Sequence, residues 1–182
     1  MREHKIVVLG GMGSGKSTLV RAVAASAVVD TDVPNSDRQG ADKASTTVAM
    51  DYADIDLPNG DRLRLYGTPG QQRFDFIWPI LLQGARGVVL LLDATRAAAV
   101  HELQAYLAVL HRHAADVPAV IGVSRLDLAP TFDLESCAAT AGWGQRLLPV
   151  VPVDARDRAQ GLLLMDVLMS EMETRDLVVG DG

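Results

Sequence analysis

The chain has little of several features that define whole classes of protein. Its one cysteine, Cys137, cannot close an internal disulfide, which excludes a disulfide-stapled scaffold and favours a reducing, cytoplasmic setting. No apolar run is long enough to cross a bilayer, and no cysteine near the C-terminus offers a lipid anchor. Basic residues number 17 against 23 acidic ones, so the chain lacks the positive surplus expected of a nucleic-acid-binding protein.

Aromatic residues are also scarce, at 4%, so the interior has to be built from aliphatic side chains. Enough of these are present, because 48% of the residues are hydrophobic and only 22% are charged. A length of 182 residues suits one folded unit. We therefore expect a single domain over residues 1–176 and a frayed tail over 177–182.

Short apolar runs alternate with segments of helical period along the chain. This alternation predicts a mainly parallel sheet with helices on both faces, a three-layer α/β fold. The turn sequence PNGD joins two alternating runs and predicts a hairpin that supplies one antiparallel edge strand. The six predicted strands cover 5–10, 47–57, 62–67, 86–95, 118–124 and 146–153, and the main predicted helices cover 16–26, 101–114, 131–142 and 159–173.

The segment GGMGSGKS at 10–17 matches the pattern of a phosphate-binding P-loop and lies between a predicted strand and a predicted helix. Glycines let backbone N–H groups turn toward an anion, and the helix N-terminus adds partial positive charge. Lys16 can reach the terminal phosphates, and the Ser17 hydroxyl can hold Mg²⁺. The motif predicts a P-loop NTPase fold with phosphate-binding residues Gly10, Gly13, Ser14, Gly15, Lys16, Ser17 and Thr18.

Ligands of parallel sheets bind beyond the carboxyl ends of the strands, which directs attention to the segment GVSRLDL at 122–128. A carboxylate at Asp127 can accept both N–H groups of a guanine edge, whereas adenine lacks that paired donor face. The position of Asp127 after a strand therefore favours guanine as the base.

The order of these motifs resembles that of the Ras-like small GTPases over nearly the whole length. TVAMDY at 47–52 is similar to the strand after the first switch loop of that family, and TPGQQRF at 68–74 to its second switch. LLLDAT at 90–95 resembles the next strand end. Pro69 and the run from 74 to 94 resemble a bacterial branch, which includes MglA-like proteins and conservon-type relatives encoded near sensor kinases and Roadblock-type proteins.

The resemblance implies a small G-protein fold, binding of GTP and GDP with Mg²⁺, slow hydrolysis, and switch loops at about 28–47 and 67–80. It implies that Thr47 joins Ser17 at Mg²⁺, with Thr46 as the other candidate in an ambiguous register. Gly70 is expected to donate its N–H to the γ-phosphate, and Gln71 to orient the attacking water. The implied base-binding residues are Ser124, Arg125 lying flat over the base, Asp127, and the backbone donors of Asp154 and Ala155.

Three departures from the family pattern stand out. Gly67 replaces an acid that holds the water shell of Mg²⁺ in most of the family, and Asp93 or Asp51 are the candidates to replace that acid. Met12 replaces a common glycine, and we expect its side chain to obstruct an arginine finger from a partner. SRLD at 124–127 replaces N-K-x-D, so we expect looser guanine selectivity. Arg38 is either a catalytic arginine in cis or a solvated loop residue.

Phe74, Phe76 and Trp78 follow the second switch-like segment and suggest an effector surface, although they can equally cover the sheet. The expected partners are this effector and a Roadblock-type activator, with no nucleic acid. Two alternatives stay open at this point. One is a nucleotide-binding scaffold with little hydrolysis, and the other is a P-loop kinase or ATPase, for which the chain shows no arginine-bearing lid.

Overall fold

The computed structural model describes residues 1–24, 50–69, 76–143 and 146–180, which fold into an α/β arrangement. The helices, in chain order, are α1 Lys16–Val23, α2 Trp78–Leu82, α3 Ala99–His113, α4 Leu134–Thr140 and α5 Arg158–Gly180. The strands are β1 Glu3–Gly10, β2 Asp51–Asp56, β3 Arg62–Gly67, β4 Gly87–Asp93, β5 Ala119–Ser124, β6 Gly142–Trp143, β7 Arg146–Leu147 and β8 Val150–Pro152.

Six of these strands form one sheet in the order β2-β3-β1-β4-β5-β8. The pairs β1–β3, β1–β4, β4–β5 and β5–β8 are parallel, and β2–β3 is antiparallel. The predicted fold class is therefore confirmed, with a mostly parallel six-stranded sheet and one antiparallel edge strand. A separate two-stranded sheet joins β6 to β7.

The core consists of two aliphatic clusters, one on each face of the sheet. Alternate residues of β1 belong to opposite clusters, with Val7 in one and Val8 in the other. The first cluster packs against α2, α3 and α4, and the second against α1 and α5. Because both faces of the central strands are covered, those strands are continuous apolar runs rather than alternating ones.

The hairpin register decides what lies at the end of β3. Residues 57–61 form the turn, where the Gly60 N–H donates to the Leu57 carbonyl at 3.0 Å and Gly60 adopts a φ of 86° that favours glycine. Pairing then runs from Asp56 opposite Arg62 to Asp51 opposite Gly67. This register places the carboxylate of Asp51 beside the end of β3, where Gly67 has no side chain.

Helices α1 and α5 pack closely on the second face. A Cβ added to Gly161 would lie 2.6 Å from Cγ1 of Val23, so the absence of a side chain lets the two helices approach. The Arg158 guanidinium of α5 also donates to the carbonyls of Ala22 and Ala24, at 3.1 and 2.8 Å. It thereby satisfies carbonyl groups that the end of α1 leaves without helical partners.

Several predicted boundaries were wrong. Helix α1 ends at Val23 rather than near 26, and the helix expected over 131–142 is only α4, capped by the Asp133 carboxylate, which accepts from the Ser136 N–H at 2.9 Å. The strand expected over 146–153 is split into β7 and β8, since proline lacks the N–H that a continuous ladder needs. Helix α5 continues to Gly180, well past the expected end at 173 and into the segment expected as a tail.

Among the described residues, no helix combines the length and the apolar character that a membrane crossing would require.

Candidate functional site

The carboxyl ends of β1, β3, β4 and β5 lie side by side and open into two cavities. The larger cavity has a volume of about 560 Å³ and is lined by Ser14, Gly15, Thr18, Val123, Ser124, Arg125, Leu126, Asp127, Leu128, Pro152, Val153, Asp154, Ala155, Arg156 and Gln160. The smaller cavity has a volume of about 310 Å³ and is lined by Met12, Gly13, Gly15, Lys16, Ser17, Thr18, Asp51, Thr68, Pro69 and Arg125. The glycine-rich loop borders both cavities, so one elongated ligand can reach from one to the other.

The loop at 10–17 owes its shape to its glycines. Gly13 and Gly15 have φ values of 76° and 100°, in the left-handed region that side chains disfavour. A Cβ on Gly10 would lie 2.6 Å from the Leu91 carbonyl oxygen, so the loop could not pass so close to β4. Helix α1 begins directly at Lys16, which directs its free N–H groups toward the loop.

Lys16 is folded into the loop and is only 7% exposed. Its ammonium group donates to the carbonyls of Gly10 and Gly11, each at 2.7 Å. Burial lowers the pKa of Lys16 to about 8, and the charge of Asp51 offsets part of that effect. A buried ammonium is a strong attractor for an anion placed in the smaller cavity.

Ser17 and Asp51 meet at the wall of the smaller cavity, where the Ser17 hydroxyl donates to the Asp51 carboxylate. A Cβ on Gly67 would lie 3.1 Å from the Asp51 Cβ and 3.4 Å from its Oδ2. The Asp51 side chain therefore fills the space beside Gly67. Of the two candidates for the missing acid, the structure brings Asp51 and not Asp93 to Ser17.

Ser124 replaces the family's asparagine but still ties the loops together. Its hydroxyl, in a buried residue, donates toward the Ser14 carbonyl at 3.1 Å and the Leu92 carbonyl at 3.0 Å. The Ser14 hydroxyl is itself buried and has no hydrogen-bond partner within the part of the chain that the structure describes. The shorter side chain thus keeps a bond between β5 and the glycine-rich loop.

Asp127 is exposed at the larger cavity, as expected for a group that contacts a ligand there. Arg125 was predicted to lie over a base, but its guanidinium is paired with Asp93, with Nη1 at 2.5 Å from Oδ2. Burial raises the pKa of Asp93, but hydrogen bonds from Thr95 and the charge of Arg125 outweigh it and lower the pKa overall. Arg125 remains in the lining of both cavities.

The loop after β8 supplies the far wall of the larger cavity. The Asp154 N–H, predicted as a donor to a base, instead donates to the Gln160 side chain at 2.8 Å. The side chain of Arg156 hydrogen-bonds to the Asp154 carboxylate and lowers its pKa to about 2. Ala155 is buried in the same wall, and a Cβ on Gly15 would lie 3.2 Å from its Cβ.

Sequence reasoning missed three members of this site. Arg156 follows Ala155 directly and could have been included on adjacency alone. Gln160 lies one turn into α5, and only the structure shows it reaching back to the loop. Thr68 is buried beside the smaller cavity because its hydroxyl and N–H both donate to the Val8 carbonyl, at 2.9 and 3.0 Å.

Several predicted residues lie outside the described residues: Arg38, Thr46, Thr47, Gly70, Gln71 and Phe74. Their roles stay predictions. Met12 is 63% exposed and lines the smaller cavity, and its expected obstruction of an arginine finger stays a prediction. Phe76 is 66% exposed, whereas Trp78 is buried and packs on Tyr106 with ring centroids 5.2 Å apart. Trp78 thus covers the sheet in this structure, one of the two roles expected of it, and its contact with an effector stays a prediction.

The family model described as "Conserved hypothetical ATP binding protein" matches residues 25–143, which begin after the glycine-rich loop. The chain is 30% identical over 95 residues to "Uncharacterized protein MJ1339" of Methanocaldococcus jannaschii, covering 52% of this chain and 53% of that protein. It is 27% identical over 125 residues to "Ras-related protein Rab-40A-like" of Homo sapiens, covering 69% of this chain and 42% of that protein.

It is also 28% identical over 112 residues to "GTP-binding protein YPTM2" of Zea mays, covering 62% of this chain and 51% of that protein. The chain thus spans about half the length of these curated relatives.

Proposed function

The chain belongs to the family described as "Conserved hypothetical ATP binding protein", and from this premise we propose that it is a Mg²⁺-dependent, GTP-binding and GTP-hydrolysing switch. Similarity to Ras-related and GTP-binding proteins supports a place in the Ras-like superfamily. The bacterial, MglA-like branch and cytoplasmic localisation stay predictions. The observation that carries the proposal is the larger cavity, which joins the glycine-rich loop to Asp127 in one continuous site.

The identity of the base is the point at which the names of the relatives diverge, since the family description names ATP and the maize relative's name GTP. The chemistry of the cavity favours guanine, because the exposed carboxylate of Asp127 can accept both donors of a guanine edge. An adenine edge would leave one carboxylate oxygen without a donor. We therefore assign guanosine nucleotides to this site.

The base assignment is tested by titrating purified, nucleotide-free protein with fluorescent GDP and ADP analogues in Mg²⁺. We expect the wild type to bind GDP more tightly than ADP. Asp127→Asn should lower the affinity for GDP and raise the affinity for xanthosine diphosphate, whose carbonyl can accept from the new amide. Asp166→Asn, an exposed acid of α5, is the matched control and should bind like the wild type. Equal affinities for GDP and ADP would instead support an ATP-binding member of the family.

The oxygen donors around the smaller cavity fit Mg²⁺, a cation that prefers hydroxyl, carboxylate and phosphate oxygens. When bound, Mg²⁺ would neutralise charge on the terminal phosphates. Ser17 and Thr47 are its proposed direct protein ligands, and Asp51 would accept from its water shell in place of an acid at position 67. Asp93 is less suited to this role, because its Oδ1 accepts from Thr95 and its Oδ2 is paired with Arg125.

Asp51→Asn should raise the Mg²⁺ concentration that supports half-maximal nucleotide binding about 10–100-fold. This is the loss of metal affinity typical when a group that supports a metal's ligands is removed. The readout is GDP affinity as a function of Mg²⁺ concentration. Asp56→Asn, on the same strand and 65% exposed, is the control. Equal Mg²⁺ dependence in the two variants would remove Asp51 from the metal site.

Hydrolysis is proposed to depend on Gln71, with Gly70 donating to the γ-phosphate. The chain offers a matched control, because Gln72 follows Gln71 directly. Gln71→Leu should abolish multiple-turnover phosphate release, while Gln72→Leu should retain it. If wild-type protein binds GTP but releases no phosphate over hours, the chain is a nucleotide-binding scaffold instead.

A comparison of Thr47→Ala with Thr46→Ala decides which threonine joins Ser17 at Mg²⁺.

Partners are likewise proposals. Phe76 is exposed directly after the segment 70–75, and it would contact an effector together with Phe74. A Roadblock-type protein is the proposed activator. Because the exposed side chain of Met12 lines the smaller cavity, we expect that activator to act without inserting an arginine. Stimulation that is lost on removing one partner arginine would contradict this expectation.

A further inference from the structure

Arg125 occupies an unusual place between the two cavities. Its backbone has φ 60° and ψ 30°, and among the described residues it is the one non-glycine residue with positive φ. Left-handed backbone at a non-glycine residue costs free energy and persists where surrounding contacts hold it. The side chain contributes to the wall of both cavities, so it lies where they adjoin.

The partner of Arg125 is held in turn by a separate set of contacts. Asp93 is buried at the end of β4, opposite Ser124 of β5. Its Oδ1 accepts from the Thr95 N–H at 2.9 Å and from the Thr95 hydroxyl at 2.5 Å. Its Oδ2 accepts from Arg125 at 2.5 Å. One oxygen therefore fixes the carboxylate in the fold, and the other fixes the guanidinium.

This arrangement matters for any ligand that reaches from the larger cavity to the smaller one. A side chain shared by both walls borders the middle of such a ligand, near the sugar of a nucleotide. The guanidinium is half-exposed, and an arginine of that exposure ordinarily samples several rotamers. The anchored carboxylate restricts it to one position, and moving it away would leave a buried carboxylate without its cation.

We propose that Asp93 is a positioning residue that holds Arg125 as a latch beside the bound nucleotide, so that this ion pair sets how fast the nucleotide dissociates. The inference rests on the proposed function, because it needs a nucleotide that spans the two cavities. Release requires the guanidinium to leave Asp93, and the rate of that opening limits exchange.

The test measures dissociation of fluorescent GDP after addition of excess unlabelled GDP. Asp93→Asn keeps an oxygen for Thr95 but turns the atom facing Arg125 into a donor, so the ion pair is lost while the turn is retained. We expect release to accelerate on the order of tenfold, the effect of losing a charge-assisted hydrogen bond. Arg125→Gln should accelerate release to a similar extent, and it provides an independent probe at a half-exposed position.

The double variant distinguishes a latch from general loosening of the fold. If Asp93 acts through Arg125, the double variant should release GDP no faster than Arg125→Gln alone. Arg86→Gln, which breaks an exposed ion pair with Asp176 at the other end of the molecule, should leave release unchanged. Additive effects of the two site variants, or wild-type release in Asp93→Asn, would overturn the proposal. Protein that binds no nucleotide would instead refute the proposed function itself.

Discussion

At the scale of single residues, the candidate site concentrates groups held away from their ordinary states. Lys16 is buried among backbone carbonyls, and Arg125 has left-handed backbone. The Ser14 hydroxyl has no hydrogen-bond partner among the residues described. Each of these costs folding free energy in the absence of a ligand. Such a concentration on one rim is typical of a ligand-binding site rather than of a part of the fold that contributes only stability.

The pKa of Lys16 leads to a prediction of how protein stability and nucleotide binding depend on pH. Its pKa in the free protein, about 8, lies below the usual 10.5 because burial disfavours the charged form. The folded state therefore binds fewer protons than the unfolded state between these values, so Lys16 favours higher stability as pH rises from 8 to 10.5. A polyphosphate in the smaller cavity restores the charged form.

Nucleotide binding should accordingly take up a proton above pH 8, and affinity should decline as pH rises from 8 to 9.5. Calorimetry in buffers of different ionisation enthalpy measures that uptake. Lys16→Arg, which stays charged throughout the range, should bind without proton uptake. Pure pH independence of the wild type would show that Lys16 is already charged in the free protein.

At the scale of elements, the helix that carries the glycine-rich loop is held by its contact with α5. Gly161 permits that contact, since an added Cβ would lie 2.6 Å from Val23 Cγ1 and 3.1 Å from Leu19 Cδ1. Both neighbours are fully buried, so neither can move aside easily. The position of α1, and with it the position of Lys16 and Ser17, depends on this glycine.

Gly161→Ala should therefore lower the free energy of unfolding by about 1–3 kcal/mol, an overpacking cost that exceeds the gain in helix propensity. Urea unfolding of the two forms measures it. Gly180→Ala, in the same helix with no heavy atom within 4 Å of the added Cβ, is the control and should be neutral or slightly stabilising. A neutral Gly161→Ala would mean that α1 and α5 can separate without loss.

Helix α2 provides a second prediction at this scale. Trp78 begins the helix after Phe76 and Ile77 and is buried against Tyr106. Its indole N–H has no hydrogen-bond partner among the described residues. If segment 76–82 shifts with the nucleotide, the environment of this indole changes. In a Trp143→Phe background, tryptophan emission should differ between GDP and a non-hydrolysable GTP analogue. Identical spectra would indicate that α2 does not respond to the γ-phosphate.

At the scale of the whole molecule, a ligand in this site would hold together parts that are distant in sequence. The larger cavity alone combines residues of the first loop, the end of β5 and the loop before α5. A ligand bound only to the folded state stabilises it by mass action, by about 4 kcal/mol at a thousand times the dissociation constant.

For a domain of this size, such a gain corresponds to a rise in Tm of roughly 8–16 °C. GDP with Mg²⁺ should produce it in a thermal shift assay, and Lys16→Met should abolish it. A wild-type protein whose Tm is indifferent to both GDP and ADP would contradict nucleotide binding in this site.

Sequence patterns predicted the architecture well because its signals are local. Continuous aliphatic runs such as 87–93, the PNGD turn and the glycine spacing at 10–17 each report on neighbouring residues. Partners of side chains were harder to predict, because they depend on register and on loops. The pairing of Asp51 with Gly67, the capture of Arg125 by Asp93 and the reach of Gln160 to Asp154 join residues that no short pattern connects.

The position of Arg158 ties together two regions that the chain order separates. It lies two residues after Arg156 of the larger cavity. Its guanidinium donates to the carbonyls of Ala22 and Ala24, at the end of α1 and just before residues 25–49. The residues that precede this long segment are thus hydrogen-bonded to the start of α5, next to the loop that contains Asp154, as well as being connected to the glycine-rich loop through α1. A displacement of Arg158 would break both hydrogen bonds that join the end of α1 to the start of α5.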